Sequence, residues 1–289
     1  MSTESCGEAR TPGGPKGGAV PAPNSIRENL ASVKHKIIVM SGKGGVGKST
    51  VAVNLAVALA RKGRKVGLLD ADMHGPSVPK LLGVPNLPLS VNEAGHIMPM
   101  TVPPGLKVIS IAFLVSDRDA PVIWRGPIKM GAIKQFLEEV EWGRLDYLIV
   151  DLPPGTGDEP LSIAQLIPSA DGAVIVTTPQ DVALLSVRKS INFVKTVKLR
   201  VIGIVENMAG LVCPHCGKDI DVFGDGGPEK AAKDMNVPLL GSLPLSPEIA
   251  RSGDEGRPFV SSSADGHSKS FEEITERIID SIEKRAGGK

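Results

Sequence analysis

The sequence predicts an α/β fold, a mostly parallel sheet covered by helices on both faces. Three observations predict it. Short apolar runs alternate with amphipathic segments from about residue 35 onward, the grammar of repeated strand–helix–strand units. The runs are continuous rather than alternating, as strands buried on both faces are. The core is aliphatic: hydrophobic residues make up 41% of the 289 positions and aromatic residues only 3%, the mix that burial between two helix layers favours.

The elements follow in order. Residues 1–33 hold Pro12, Pro15, Pro21 and Pro23 among many glycines and read as a disordered tail, unable to bury enough to fold alone. Residues 34–289 read as one domain, with no later break and no internal repeat. It opens on a buried strand at 37–40, then a glycine-rich turn and a helix marked by Ala52, Leu55, Ala56 and Leu59 and ended by Gly63. The next strand, 66–69, ends on Asp70. Residues 84–110 are rich in Pro and Gly, with short apolar runs at 97–100 and 108–111. A helix is expected over 128–140, then a strand at 147–150 that runs into a Pro-Pro-Gly turn. A strand near 172–179 with a crossover helix at 183–197, a strand at 200–207, and a loop at 208–225 come next. A helix with Pro228 near its first turn, a strand near 239–245 and a final helix over about 268–285 complete the chain. Phe271, Ile274, Ile278 and Ile282 form one stripe on that last helix.

Composition narrows the function. A formal net charge of +1 gives no argument for a nucleic-acid or anionic-membrane surface. No stretch reaches the length of a spanning helix, and Glu4 and Glu8 without an apolar run do not make a secretory signal. The last helix carries Glu272, Glu273, Glu276, Asp280 and Glu283, unlike a basic membrane-surface helix. The expectation is a cytoplasmic protein that binds neither nucleic acid nor membrane. Three cysteines, Cys6, Cys213 and Cys216, cannot staple a domain of this size.

The first chemical motif is Gly42-Lys43-Gly44-Gly45-Val46-Gly47-Lys48-Ser49, followed by Thr50. It fits the P-loop pattern and lies between a strand and a helix. Glycines let backbone N–H groups curl round phosphates without Cβ clashes, and the helix N-terminus adds positive potential. Lys48 is expected on the β and γ phosphates and Ser49 on magnesium, so ATP with Mg2+ is the expected ligand. Lys43 is one lysine more than an ordinary P-loop needs. It could contact phosphate in its own chain or across an interface, or be a solvated surface residue.

Such a site needs carboxylates near the metal and the attacking water. Asp70 and Asp72 lie just past one strand, where one could orient water or simply stabilise a turn. Asp151 ends an apolar run, the place of a Walker B aspartate. Gly155 and Gly157 after it could follow a γ phosphate as switch loops do. The pair Cys213-x-x-Cys216 suits two thiolates on a soft metal or cluster iron, and also suits a redox dithiol. Two ligands are half a closed site, so either other residues, Cys6 and His215, complete it or two chains contribute two each. His35, His74, His96 and His267 show no ligand spacing.

Together the segments SGKGGVGKST, LLDADMHGPSVPKLLG, DYLIVDLPPGTGDEPLS, TTPQDVAL and VENMAGLVCPHCG closely resemble the Mrp/ApbC-type iron–sulfur cluster carrier ATPases of the deviant Walker A group, over about residues 35–285. The resemblance implies a P-loop α/β domain that dimerises and hydrolyses ATP slowly without a partner. It implies that Lys43 reaches the nucleotide of the other subunit, that Lys48 and Ser49 serve phosphate and magnesium, that Asp72 positions water, and that Asp151 holds the Walker B place. It further implies that Asn207 bonds adenine and that Cys213 and Cys216 of two chains bridge a [4Fe–4S] cluster destined for apo-proteins. Eukaryotic-type scaffold relatives carry an N-terminal cysteine cluster, whereas Cys6 stands alone, so the likeness runs to the simpler bacterial or archaeal carriers. Three rivals stay open: a partition or positioning ATPase, an electron-transfer ATPase, and structural zinc at the cysteine pair.

Overall fold

The structure, a computed structural model, describes residues 25–84, 88–114, 126–213, 215–224, 226–261 and 266–286. The chain begins with helix α1 (Ile26–Asn29), strand β1 (Val33–Met40), α2 (Lys48–Arg61), β2 (Val66–Asp70) and α3 (Val78–Leu81). There follow β3 (Ser90–Val91), β4 (Ile97–Met98), β5 (Met100–Val102), β6 (Leu106–Ser110), α4 (Gly126–Glu139), β7 (Leu145–Asp151) and α5 (Asp158–Leu166). The rest comprises β8 (Gly172–Thr177), α6 (Asp181–Thr196), β9 (Val201–Asn207), β10 (Leu211–Val212), β11 (Asp219–Ile220), α7 (Gly227–Met235), β12 (Leu239–Leu243), α8 (Pro247–Asp254) and α9 (Gly266–Ala286).

The main sheet runs β12-β9-β8-β1-β7-β2-β6-β5. Every pairing in it is parallel except β5 with β6, an antiparallel edge. Strand β1 is central because it is buried along its C-terminal half. Its Ile37 and Val39 point to one layer and its Ile38 and Met40 to the other, the two-residue period of a strand. α2 and α9 cover the first face and α4, α6 and α7 the second. Phe271, Ile274, Ile278 and Ile282 of α9 are buried, each contributing about 1.5–3 kcal/mol by leaving water. β1 pairs with β7 on one side and β8 on the other, so the chain reverses direction across the sheet there, and ligands in such sheets lie beyond the strand ends at that point.

Four expectations need correction. The folded part starts before residue 34: Ser25 and Glu28 form a reciprocal capping box on α1, and β1 begins at Val33. The Pro- and Gly-rich bias ahead of that box obscured it, although Ser-x-x-Glu is itself a helix-start signal; residues 1–24 of the expected tail, Cys6 among them, lie outside the described residues. The irregular region supplies β6, which pairs with β2 inside the main sheet. Three helices, α3, α5 and α8, were not expected, because each has nine residues or fewer and is too short to show an apolar period. The loop at 208–225 contains a hairpin, β10 with β11; its residues 214 and 225 are outside the described set.

Candidate functional site: a phosphate loop facing paired carboxylates

Helix α2 starts without a side-chain cap, from Gly47 in the left-handed region at φ 81°. Its first-turn N–H groups therefore have no side-chain acceptor and face the loop, an arrangement suited to an anion. Gly42 is required for a different reason. A Cβ there would sit 2.6 Å from the Ser186 carbonyl oxygen, so the absence of a side chain lets α6 approach the loop. Val46 is buried at the loop's centre, and Asn54 donates to the Thr50 carbonyl at 2.8 Å one turn into α2.

The strand ends bring the charged residues together. Asp70 and Asp151 are paired across β2 and β7, with β1 on the far side of β7. Lys48 Nζ lies 2.7 Å from Asp151 Oδ1, 3.5 Å from Asp72 Oδ2 and 3.2 Å from Ser49 Oγ. Lys48, Ser49, Asp72 and Asp151 thus form one cluster. Asp151 is fully buried and its Oδ2 has no hydrogen-bond partner. Burial pushes its carboxyl pKa up, against the opposing pull of the Lys48 charge. An orphaned, buried carboxylate oxygen beside a serine hydroxyl is a hard-oxygen donor set, which fits magnesium.

Asp70 plays the turn-stabilising role. It is fully buried and accepts from Ser110 Oγ at 2.9 Å, from Asp72 N at 3.2 Å and from Val78 N at 3.3 Å. Burial, then the Asp151 charge, pushes its pKa up to about 8. Asp72 instead faces the lysine, with Oδ1 accepting from His74 N and Gly75 N. Gly155, at φ 98°, donates its N–H to the Ser41 carbonyl at 2.8 Å, so the turn after Asp151 lies against the start of the phosphate loop.

Two site residues have partners that sequence spacing could not give. Lys43 Nζ donates to Gln180 Oε1 at 2.9 Å, just ahead of α6. Asn207, at the end of β9, donates Nδ2 to the Val46 carbonyl at 2.9 Å. The only sequence signal for Gln180 was its place in TTPQDVAL.

The cysteines stand apart. β9 passes from Asn207 into the β10–β11 hairpin, and Cys213 and Cys216 lie at its exposed turn. Cys213 N donates to the Lys218 carbonyl at 2.8 Å and Gly217 N to the Cys213 carbonyl at 2.9 Å. N–H groups of Cys216 and His215 turned to the Cys213 sulfur lower its thiol pKa. The pair lies in a hairpin turn and not at the start of a helix. Among the described residues no three His, Cys, Asp or Glu side chains converge as a metal site, and no helix is long and apolar enough to cross a membrane.

Comparison with known proteins gives a consistent set of relatives. Residues 32–279 match the family described as ParA: NUBPL iron-transfer P-loop NTPase. The chain is 53% identical over 258 residues to the iron-sulfur cluster carrier protein of Methanocaldococcus jannaschii, covering 89% of this chain and 88% of the relative. It is also 53% identical over 259 residues to that of Saccharolobus solfataricus, covering 89% and 87%. Among solved structures, the nucleotide-binding protein of Archaeoglobus fulgidus in complex with ADP is 42% identical with a TM-score of 0.72, over 81% of this chain and 91% of that one. The cell division ATPase MinD of Pyrococcus furiosus is 26% identical with a TM-score of 0.62, over 86% and 99%.

Proposed function

The chain belongs to the NUBPL iron-transfer P-loop NTPase family and is an ATP hydrolase, and on that premise we propose that it is an ATP-dependent carrier of iron–sulfur clusters. In this reading two chains meet at the nucleotide face. Cys213 and Cys216 of each supply the four thiolates of a labile [4Fe–4S] cluster, which is cargo passed to apo-proteins in the cytoplasm. The observation that carries the reading is the Cys213 turn. It presents a half-buried Cys213 and an exposed Cys216 on a hairpin that follows Asn207, the residue bonded to the phosphate loop. A partition ATPase needs no such cysteines.

The residues present divide the hydrolytic work among them. The loop from Gly42 to Thr50 wraps the phosphates through backbone N–H groups, and Lys48 holds the β and γ oxygens. Magnesium, held by Ser49 and by the Asp151 carboxylate through water, would neutralise charge on the phosphate oxygens. Asp72, 3.5 Å from Lys48, stays on the lysine side of the cluster, where its Oδ2 can orient the attacking water. Lys43 would exchange Gln180 for the partner's phosphates when two chains close. Asn207 uses its N–H on Val46, and its carbonyl oxygen is the acceptor it could offer adenine.

The test is anaerobic loading with iron and sulfide, followed by iron and sulfide analysis per dimer. Wild type is expected to bind one cluster per two chains, and Cys213→Ala and Cys216→Ala none. A cluster that survives both substitutions, or zinc retained in preference to iron, would contradict the assignment.

A further inference from the structure

The turn that holds Asp72 also carries His74, a residue with no ligand spacing and no part in the hydrolytic cluster. Its backbone N–H donates to Asp72 Oδ1 at 3.3 Å, and Gly75 N donates to the same oxygen at 3.2 Å. The carboxylate and the His74 backbone therefore move as one turn. The ring reaches the other way, to two separate helices. Its Nε2 is 2.9 Å from Lys129 Nζ on α4 and 3.2 Å from Glu159 Oε2 on α5. Lys129 is buried, 8% exposed, and Glu159 Oε1 is buried without a hydrogen-bond partner. α5 is the direct continuation of the turn after Asp151.

The two partners meet different parts of the ring. Lys129 Nζ is 2.9 Å from Nε2 and also 3.5 Å from Nδ1, which places the ammonium over the ring face rather than on the in-plane lone pair. The in-plane Nε2–H is left to donate to the Glu159 carboxylate. One imidazole therefore ties the Asp72 turn to the first turn of α5.

We propose that His74 is a positioning residue for ATP hydrolysis. Its Nε2–H holds Glu159 in the first turn of α5, the helix that continues the turn after Asp151, and this bond holds the Asp72 turn in the arrangement that orients water. This rests on the reading of Asp72 as the water-orienting carboxylate.

Steady-state ATPase measurements on the full chain test it, with melting temperature and the affinity for a fluorescent ATP analogue measured alongside. His74→Ala and Glu159→Ala are each expected to lower kcat about tenfold or more, with KM and melting temperature unchanged, and the double variant to be no slower than either. Glutamine offers one donor and one acceptor, so His74→Gln is expected to recover most of kcat. An unaltered kcat in His74→Ala, additive losses in the double variant, or losses that track KM or melting temperature would overturn the proposal. Asp72→Asn separates the two layers: if it stays active, the role of Asp72 fails and this inference with it. If it is inactive while His74→Ala is fully active, this inference alone fails.

Discussion

The Asn207 side chain donates to the Val46 carbonyl at 2.9 Å across a sequence separation of 161 residues. A Cβ on Gly47 would lie 2.1 Å from the same amide nitrogen, so the strand end and the loop are in direct contact. The phosphate loop is thereby braced by the strand that leads to the cysteine hairpin. Asn207→Ala leaves a buried acceptor unpaired, which costs about 1–3 kcal/mol. The expected outcome is weaker binding of a fluorescent ATP analogue and a lower melting temperature. Unchanged affinity and melting temperature would remove the brace from the account.

Gly42 makes the loop's other close contact. Gly42→Ala must push either the loop or the Ser186 turn of α6 aside, because the added carbon would meet a backbone carbonyl at 2.6 Å. Nucleotide affinity is expected to fall while far-UV circular dichroism stays that of the folded chain. Equal affinity in variant and wild type would mean that α6 yields freely.

The reach of Lys43 across a dimer can be tested by mixing two inactive variants. Lys48→Ala cannot hold ATP but still offers Lys43; Lys43→Ala holds ATP but lacks the reaching lysine. Combined, they form mixed dimers with one complete site, so ATPase activity is expected to reappear. No recovery on mixing would confine Lys43 to its own chain, where it rests on Gln180.

Asp70 gives the site a pH signature. Its folded pKa of about 8 lies above the ordinary carboxylate value, so the folded state binds this proton more tightly than the unfolded chain. That contribution to stability is complete below the unfolded pKa and is lost as pH rises through the folded one. Asp70→Asn cannot titrate. Relative to wild type, the nucleotide-free variant is expected to gain stability from about pH 4 to about pH 8 and to level off above. Parallel melting curves across that range would show that Asp70 keeps an ordinary affinity for its proton.

What the sequence made legible was chemistry written in contiguous residues. Gly42 to Thr50 states its own purpose, because the phosphate-binding groups are the backbone of one turn. Asp151 could be placed because the apolar run before it fixes a strand end. The partners of these residues were hidden by distance along the chain. Nothing near Lys43 points to Gln180, and nothing near Asn207 points to Val46, since both contacts depend on which strands lie beside β1. Asp70 and Asp72 look alike in sequence; the sheet separates them, because Ser110 comes from β6, a strand in a stretch whose prolines and glycines conceal it. α5 was missed for a related reason: its first turn is Asp158-Glu159-Pro160, which leaves little apolar period to read.

The central claim is that the chain carries a cluster and gives it up. The most direct measurement loads the protein anaerobically, mixes it with an apo-protein that requires a [4Fe–4S] cluster, and follows the acceptor's activity with an iron chelator present. The account predicts that the acceptor is activated as the carrier loses its iron and sulfide, and that a Cys213→Ala, Cys216→Ala protein activates nothing. A cluster that stays on the protein while the acceptor remains inactive, or an activation abolished by the chelator, would contradict it.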